Sequence, residues 1–336
     1  MTGKEKEASA VLDVLIVGAG PCGLSCGIEA KREGMSYRIV EKGGVADAIR
    51  RFPTQMTFFS TPDLLELGSI PFPTANIRPS RVEALEYYRK VADHFDLDLV
   101  LRTEIVSVRR DGDVFRAETS SGARWAARSV IFATGYFERP NRIRVAGEDL
   151  PHVSHYYTEP FAYARSRVTV VGGANSAVEA SLDLYRHGAD VTLVHRRAAL
   201  SSSVKYWVRP DAENRIREGA VRTAFESIVT EIRPGEVDVQ HLPSGDSRIV
   251  PSDFVLLLTG YRPDDALLRK AGIEVDDETL VPTYDPETFE TNVPGLFVAG
   301  SSVCGCETGT IFIENGRHHA RGIFPRIRAT RLRAGG

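Results

Sequence analysis

The chain has 336 residues, more than a single hydrophobic core usually serves, so two domains are expected. Its composition is that of a globular protein, 42% hydrophobic and 26% charged, and a formal net charge of −3 argues against a nucleic-acid binder. No apolar run approaches the ~20 residues of a membrane span, and four cysteines without zinc-like paired spacing imply no metal site and suit a reducing cytoplasm better than a disulfide scaffold.

In chain order, Met1 to Ala10 is polar, lacks the apolar core of a secretory signal and reads as a frayed terminus. Val11 to Val17 is an aliphatic run that predicts a buried strand. It leads into Gly18-Ala19-Gly20-Pro21-Cys22-Gly23, a helix over Leu24 to Arg32 and a helix-ending Gly34. A second strand, Tyr37 to Val40, ends in Glu41, at the spacing expected of a ribose-binding carboxylate. Gly18 permits the tight turn, Gly20 lets a pyrophosphate reach the backbone, and Gly23 lets helix and strand pack closely. The helix N-terminus offers unpaired N–H groups to phosphate.

A lone glycine turn of this kind is weak evidence, but here the unit recurs. Arg167 to Val171 predicts a strand, followed by Gly172-Gly173-Ala174-Asn175-Ser176-Ala177, a helix to His187, and Gly188. The next strand, Val191 to Val194, ends in His195-Arg196-Arg197 instead of an acid. Cations there suit the 2′-phosphate of NADP, against the plain alternative of a solvated strand end. Ala174 puts a methyl group where the middle glycine would stand, which should weaken phosphate contact.

Two further strands echo each other: Ser129 to Tyr136 and Phe254 to Tyr261 both end in Thr-Gly-Tyr, with Arg-Pro close behind. A last glycine-ended strand, Gly295 to Gly300, returns to the first domain. The expected class is therefore α/β, two Rossmann-like dinucleotide-binding domains with the NADPH domain inserted in the FAD domain. The expected boundaries are an FAD-binding part over 1–140, an NADPH-binding domain over 141–258, and the second FAD-binding part over 259–336. The arginine-rich end (Arg317, Arg321, Arg326, Arg328, Arg331, Arg333) reads as a solvated helix and tail; a role against phosphates or a partner subunit is the alternative.

This order of motifs resembles the thioredoxin-reductase-like flavoproteins over nearly the whole chain. The stretch Ser154 to Phe161, however, lacks that family's C-x-x-C dithiol, and Gly300-Ser301 stands where its Gly-Asp would be. Four blocks instead resemble the bacillithiol-disulfide reductase (YpdA-type) family: Gly20 to Gly23, Pro53 to Thr61, Val204 to Pro210 and Ile311 to Arg317. The resemblance implies NADPH-driven reduction of a low-molecular-weight thiol disulfide, with FAD and NADPH as cofactors and a likeness to dimerising, cytoplasmic enzymes. On it, FAD would meet Gly18, Gly20, Pro21, Cys22, Gly23, Glu41, Lys42, Thr134, Gly135, Gly300, Ser301, Thr310 and Ile311. NADPH would meet Gly172, Gly173, Ala174, Asn175, Ser176, Ala177, Glu179, His195, Arg196, Arg197 and Gly260.

Cys22 is the redox thiol that the resemblance implies; the other reading is a small residue in place of the usual alanine. A helix N-terminus favours its thiolate, while a neighbouring pyrophosphate opposes it. Cys26, one helical turn on, reads as a packed small residue. Cys304-Gly305-Cys306 follows the last strand and is either a strained, labile pair or two unrelated thiols. Arg50, Arg51, Lys205 and Arg209 are candidate contacts for an anionic substrate, or else ordinary surface charges. Other functions stay open. Gly147, His152 and Tyr156 nearly spell a flavin-monooxygenase signature, with Val145 at its aromatic position. A ferredoxin- or flavodoxin-NADP reductase shares the fold, and a non-catalytic NADPH-sensing flavoprotein belongs to a different class again.

Overall fold

The computed structural model describes residues 10–334, with side chains as far as Arg331. The reading of the first residues as frayed, and the side chain of Arg333, lie outside the described residues. The chain divides into two compact units. The first comprises Met1–Arg51, Met56–Arg139 and Arg262–Gly336, the second Phe52–Gln55 and Pro140–Tyr261.

In the first unit, β1 (Leu12–Val17) runs into α1 (Pro21–Arg32) and returns as β2 (Tyr37–Val40). Gly34 follows α1 at φ +64°, the left-handed conformation that ends a helix without a side-chain clash. After α2 (Arg81–His94) come β3 (Leu99–Val100), β4 (Ile105–Asp111), β5 (Val114–Thr119) and β6 (Arg124–Phe132). The sheet order is β3-β2-β1-β6-β5-β4. β1 lies parallel between β2 and β6, while β4, β5 and β6 form an antiparallel meander. β6 is longer than its apolar run suggests because it serves two partners on one edge. Its first half pairs with β5, and Val130 to Phe132 pair with Leu296–Val298, the strand that closes the unit. Leu15, Val130, Phe132, Leu296 and Val298 are fully buried there, each worth about 1.5–3 kcal/mol of apolar burial.

The second unit is built on β7 (Val153–Ser154), β8 (Arg167–Val171), α3 (Asn175–Arg186), β9 (Asp190–Val194), β10 (Val221–Ala224) and the later strand Phe254–Leu257. The five strands are parallel, in the order β10-β9-β8-(Phe254–Leu257)-β7. Both faces are covered, which explains the unbroken aliphatic runs. Val168, Val170, Val191 and Leu193 face the α3 side. Val171, Val194 and Val255 pack instead against Val229, Val237 and Val239 of the antiparallel ribbon Ser227–Arg233, Gly235–His241 and Ser247–Ser252. The unit runs past the strand end to Tyr261 because local hydrogen bonds stitch it. Thr259 Oγ1 donates to Asn141 O at 2.6 Å, Asn141 N–H to Gly260 O at 2.9 Å, and Tyr261 OH to His155 O at 2.9 Å. Residues 52–55 join it through Thr54 N–H on Thr158 O at 2.8 Å.

The arginine-rich end forms the helix Ala320–Ala334, and its described cations are largely engaged within the first unit. Arg326 pairs with Glu290, Arg328 with Glu33 and Arg331 with Asp13.

Candidate active site

The first glycine turn is shaped by what a side chain would strike. Gly18 sits at φ +109°, where a Cβ would lie 2.4 Å from Ala133 O, and a Cβ on Gly23 would lie 2.0 Å from Gly18 O. No L-residue with a side chain fits either place without moving backbone. Gly20 differs: it is extended, nothing lies within 4 Å of its would-be Cβ, and it caps α1 without a side-chain hydrogen bond. Pro21 opens the helix, where its missing N–H costs nothing. The open side of Gly20 and the uncapped first-turn N–H groups form a cradle for phosphate oxygens. Glu41, buried at the end of β2, accepts Ala19 N–H and Gly43 N–H, both at 2.8 Å, one on each carboxylate oxygen. Each oxygen retains acceptor capacity for a ribose hydroxyl. Those features fit an adenine dinucleotide. Lys42 is drawn aside to Glu138, which also takes Arg51.

Beside this turn stand the ends of β6 and of the closing strand, here β15 after the ribbon strands β11 to β13 and β14 (Phe254–Leu257). Gly135 N–H donates to Ser302 Oγ at 3.0 Å, with Thr134 Oγ1 3.3 Å from the same oxygen. Buried Ser302, rather than Ser301, thus joins the two strand ends. Gly300, at φ +65°, donates its N–H to Nδ1 of His319 at 3.1 Å. His319 is buried and stacks on Phe289 at 4.1 Å. Burial, and then the neighbouring His318, push its pKa down to about 4, so it is a neutral acceptor at neutral pH.

Cys22 lies where these parts meet. Its sulfur is 2.7 Å from the position a Gly300 Cβ would take, and 2.9 Å from that of Gly316. The two glycines are therefore the space the thiol occupies. Two of the unusual sequence blocks close around it. Ser60 Oγ donates to Glu314 Oε2 at 2.6 Å, and Arg317 donates to Asp63 O at 2.9 Å and Glu66 O at 2.6 Å. Ser25 Oγ, on α1, donates to Arg317 O at 2.7 Å. Asn315 holds the preceding loop through Thr310 O and the N–H groups of Phe312 and Gly316. Ile311 packs among the apolar side chains of the core. The helix terminus does not win over desolvation at Cys22: burial pushes the thiol up to about 12. Cys26 is buried beneath it and is raised by the same cause. Cys304 is buried, Cys306 is exposed, and all four cysteines are free thiols.

The second glycine turn repeats the mechanics and changes the chemistry. A Cβ on Gly172, at φ +148°, would lie 2.5 Å from Leu258 O. Gly173 lies under the ring of His195, whose atoms would stand 2.3–2.4 Å from a Cβ there. Desolvation lowers the His195 pKa, and Arg197 and Arg196 lower it further; Nε2 is buried without a partner. The imidazole is thus a neutral plate on the turn, with one nitrogen left to bond a ligand. Arg196 and Arg197 are exposed and form no ion pair among the described residues. Asn175 donates to Ser203 O and accepts Lys205 N–H, both at 2.8 Å. Ala174 and Ser176 are exposed at the helix start, with Ala177 buried behind them. Buried Lys205 pairs with Glu179 at 2.8 Å, so neither is a free charge. Arg209 pairs with Glu213, and Arg50 and Arg51 with Asp47. Gly147 serves packing: its Cβ would strike Ile232 O at 1.9 Å, while Tyr156 stacks on Tyr261. The orphan imidazole nitrogen and the two open guanidinium groups fit a phosphorylated dinucleotide. No metal-binding group of acidic, histidine or cysteine side chains occurs among the described residues.

Two units, each with parallel strands and a glycine turn feeding a helix, and a thiol seated in the first turn define a dinucleotide-dependent thiol oxidoreductase. Residues 15–300 match the pattern of the pyridine nucleotide-disulphide oxidoreductases. Over 93% of its length the chain is 40% identical to the bacilliredoxin reductase Bdr of Bacillus subtilis, covering 96% of that protein. The bacillithiol disulfide reductase Bdr (YpdA) of Bacillus cereus superposes with a TM-score of 0.91 at 37% identity, over 95% of this chain and 99% of that one. Its Staphylococcus aureus counterpart gives 0.90 at 35% identity, over 96% and 98%. The chain belongs to the pyridine nucleotide-disulphide oxidoreductase family and, within it, to the YpdA-type reductases. It is an NADPH-dependent flavoprotein disulfide oxidoreductase with FAD and NADPH as cofactors.

Proposed function

We propose that the chain reduces bacillithiol disulfide or a close low-molecular-weight analogue, with FAD held by the first unit and NADPH by the second. The observation that carries this reading is the Cys22 sulfur, set between Gly300 and Gly316 inside the first glycine turn. Bound NADPH and FAD supply two electrons, which with two protons convert one disulfide into two thiols. The Gly20 backbone and the α1 N-terminus bind the FAD pyrophosphate, and Glu41 fixes its ribose while bracing the turn. Ser302 and His319 hold the Gly135 and Gly300 peptides in place. His195 seats the NADPH pyrophosphate turn, and Arg196 and Arg197 take the 2′-phosphate. The Cys22 sulfur attacks one sulfur of the substrate, breaking its S–S bond, keeping one half as a mixed disulfide and releasing the other as a thiolate that takes a proton. The two electrons that the bound cofactors would supply, with protons, then return Cys22 to the thiol and release the second half. Burial pushes its thiol up to about 12, so attack is helped by a base that takes the proton or a cation that favours the thiolate.

The test is NADPH consumption against a panel of bacillithiol, glutathione, coenzyme A and cystine disulfides. Selective turnover of the first supports the assignment; equal indifference to all four refutes it. Cys22→Ala should keep FAD and accept hydride from NADPH, yet lose disulfide turnover by about two orders of magnitude, ~3 kcal/mol in the barrier. Retained turnover would assign the sulfur a packing role. We further place the enzyme in the cytoplasm as a homodimer or higher homo-oligomer, in keeping with its free thiols and with no described helix long and apolar enough to cross a membrane. Sedimentation of the purified protein and fractionation of cells check those two statements.

A further inference from the structure

Cys304-Gly305-Cys306 is a motif that the reductase site leaves unused. The loop leaves the sheet directly after Gly300, and the turn Gly300–Val303 places Cys304 at its end. The two cysteines stand in opposite environments: Cys304 is buried and Cys306 is exposed. Cys304 Sγ donates to Ser301 O at 3.1 Å, and burial raises its pKa. Between them Gly305 takes φ +52°, a left-handed kink that draws the flanking Cα atoms closer than the ~7 Å of an extended pair. That kink is enforced from outside. A Cβ on Gly305 would stand 2.1 Å from Thr279 O, and Cys306 N–H donates to the same oxygen at 2.7 Å. Glu307 N–H on Cys304 O at 2.9 Å closes the loop. The backbone therefore leaves one cysteine open to solvent and sets the second, buried, across a single left-handed glycine from it.

We propose that Cys306 and Cys304 form a second thiol–disulfide site, an attacking and a resolving thiol that exchange with low-molecular-weight disulfides apart from the Cys22 site. The Cys306 thiolate attacks a disulfide RSSR, forming Cys306–S–S–R and releasing RS⁻. The Cys304 thiol, giving its proton to solvent, then attacks the Cys306 sulfur and expels the second RS⁻. Each RS⁻ takes a proton, so two electrons pass to RSSR, which leaves as two RSH, and the protein gains one Cys304–Cys306 bond. Every step reverses with excess RSH. Since RSH is the product of the enzyme's proposed reaction, the pair reports the ratio of product to substrate. In this respect the inference rests on that reading. Ser302, inside the same turn, bonds Gly135, so oxidation of the loop acts on a backbone that also frames the dinucleotide cradle.

The holoenzyme is incubated with glutathione disulfide or bacillithiol disulfide in the absence of NADPH, alkylated, and digested with trypsin. Both cysteines fall on the single peptide 271–317, which contains no other thiol. The expected product is that peptide unalkylated and lighter by two hydrogens; anaerobic titration then takes two electrons beyond those of the flavin. Cys304→Ser should accumulate the mixed disulfide on Cys306, and Cys306→Ser should show at least tenfold slower adduct formation on Cys304. Full alkylation of the wild-type peptide, a persistent wild-type adduct without the internal bond, or equal adduct rates in the two variants would overturn the proposal. Steady NADPH-dependent disulfide turnover with a fully alkylated peptide removes this pair alone. Formation of the internal bond without any NADPH-dependent turnover removes the proposed reductase function and leaves the pair standing.

Discussion

The two glycine turns share their mechanics and differ in their chemistry. At the head of each, a glycine with positive φ faces a carbonyl from the neighbouring strand end, Ala133 O for Gly18 and Leu258 O for Gly172, at almost the same would-be distance. These positions fix the crossing of helix over strand and are blind to the ligand. One step further the turns part. In the first unit the strand-end residue is Glu41, whose carboxylate ties down the turn by accepting Ala19 N–H. In the second it is His195, whose neutral ring lies on Gly173 and leaves two arginines open to solvent. A carboxylate that braces its own turn suits a cofactor kept for the life of the protein. An open cationic edge suits one that arrives and departs with each turnover.

The largest effect should come from the shared mechanics. Gly23→Ala drives a methyl group into Gly18 O, an overpacking cost of about 1–3 kcal/mol or more, and should yield protein without flavin and with a lowered Tm. Gly172→Ala should instead purify yellow, with flavin content intact and NADPH affinity lost. Equal flavin loss in both, measured by absorbance after gel filtration, would break the comparison. Next comes the ligand-reading edge. Arg196→Ala/Arg197→Ala should raise the KM for NADPH roughly a hundredfold, with little change for NADH, since each charged hydrogen bond is worth about 1.5–3 kcal/mol. Parallel loss with both nucleotides would reassign those cations.

A smaller effect separates the two histidines. His319 is held at about 4, below the ~6.5 of an unfolded histidine, so the unfolded chain takes up a proton first as pH falls. Stability from this group is complete above about pH 6.5 and declines towards pH 4, by roughly 3 kcal/mol at most. His319→Gln, which keeps an acceptor for Gly300 N–H, should flatten that acid limb in urea melts of the holoenzyme; an unchanged slope would exclude His319 as its source. Smallest of all, Ala174→Gly should lower the KM for NADPH a few-fold, about 0.5–1 kcal/mol, by restoring backbone approach to phosphate. No change would show that the exposed methyl lies clear of the ligand.

Much of this was legible in the sequence because it is local. Both turns, Tyr37–Val40 and Arg167–Val171 fall at the positions that the glycine spacing and aliphatic runs predict. The two-unit α/β architecture follows from their recurrence. The supports of the site were hidden because they join residues remote in the chain. Ser60 meets Glu314 and Gly300 meets His319 through tertiary packing that no periodicity records. In the sequence His195 reads as one of three cations, whereas burial against Gly173, and then Arg197 and Arg196, lower its pKa. The balance at Cys22 between helix terminus and desolvation is set by Gly300 and Gly316, which enclose the thiol from far along the chain.

The discontinuity of the first unit also sets a timetable for biosynthesis. Its sheet needs Leu296–Val298 beside β6, and its thiol pocket needs Gly316 and Arg317, so neither is complete until the last stretch of chain has left the ribosome. The second unit, finished at Tyr261, has all its parts well before then. Although it begins later in the sequence, it can close first as a cooperative module, while Leu15, Val130 and their neighbours await a partner strand. Chains truncated between residues 262 and 295 should accordingly carry a protease-resistant core that starts near residue 140, flanked by a sensitive N-terminal third.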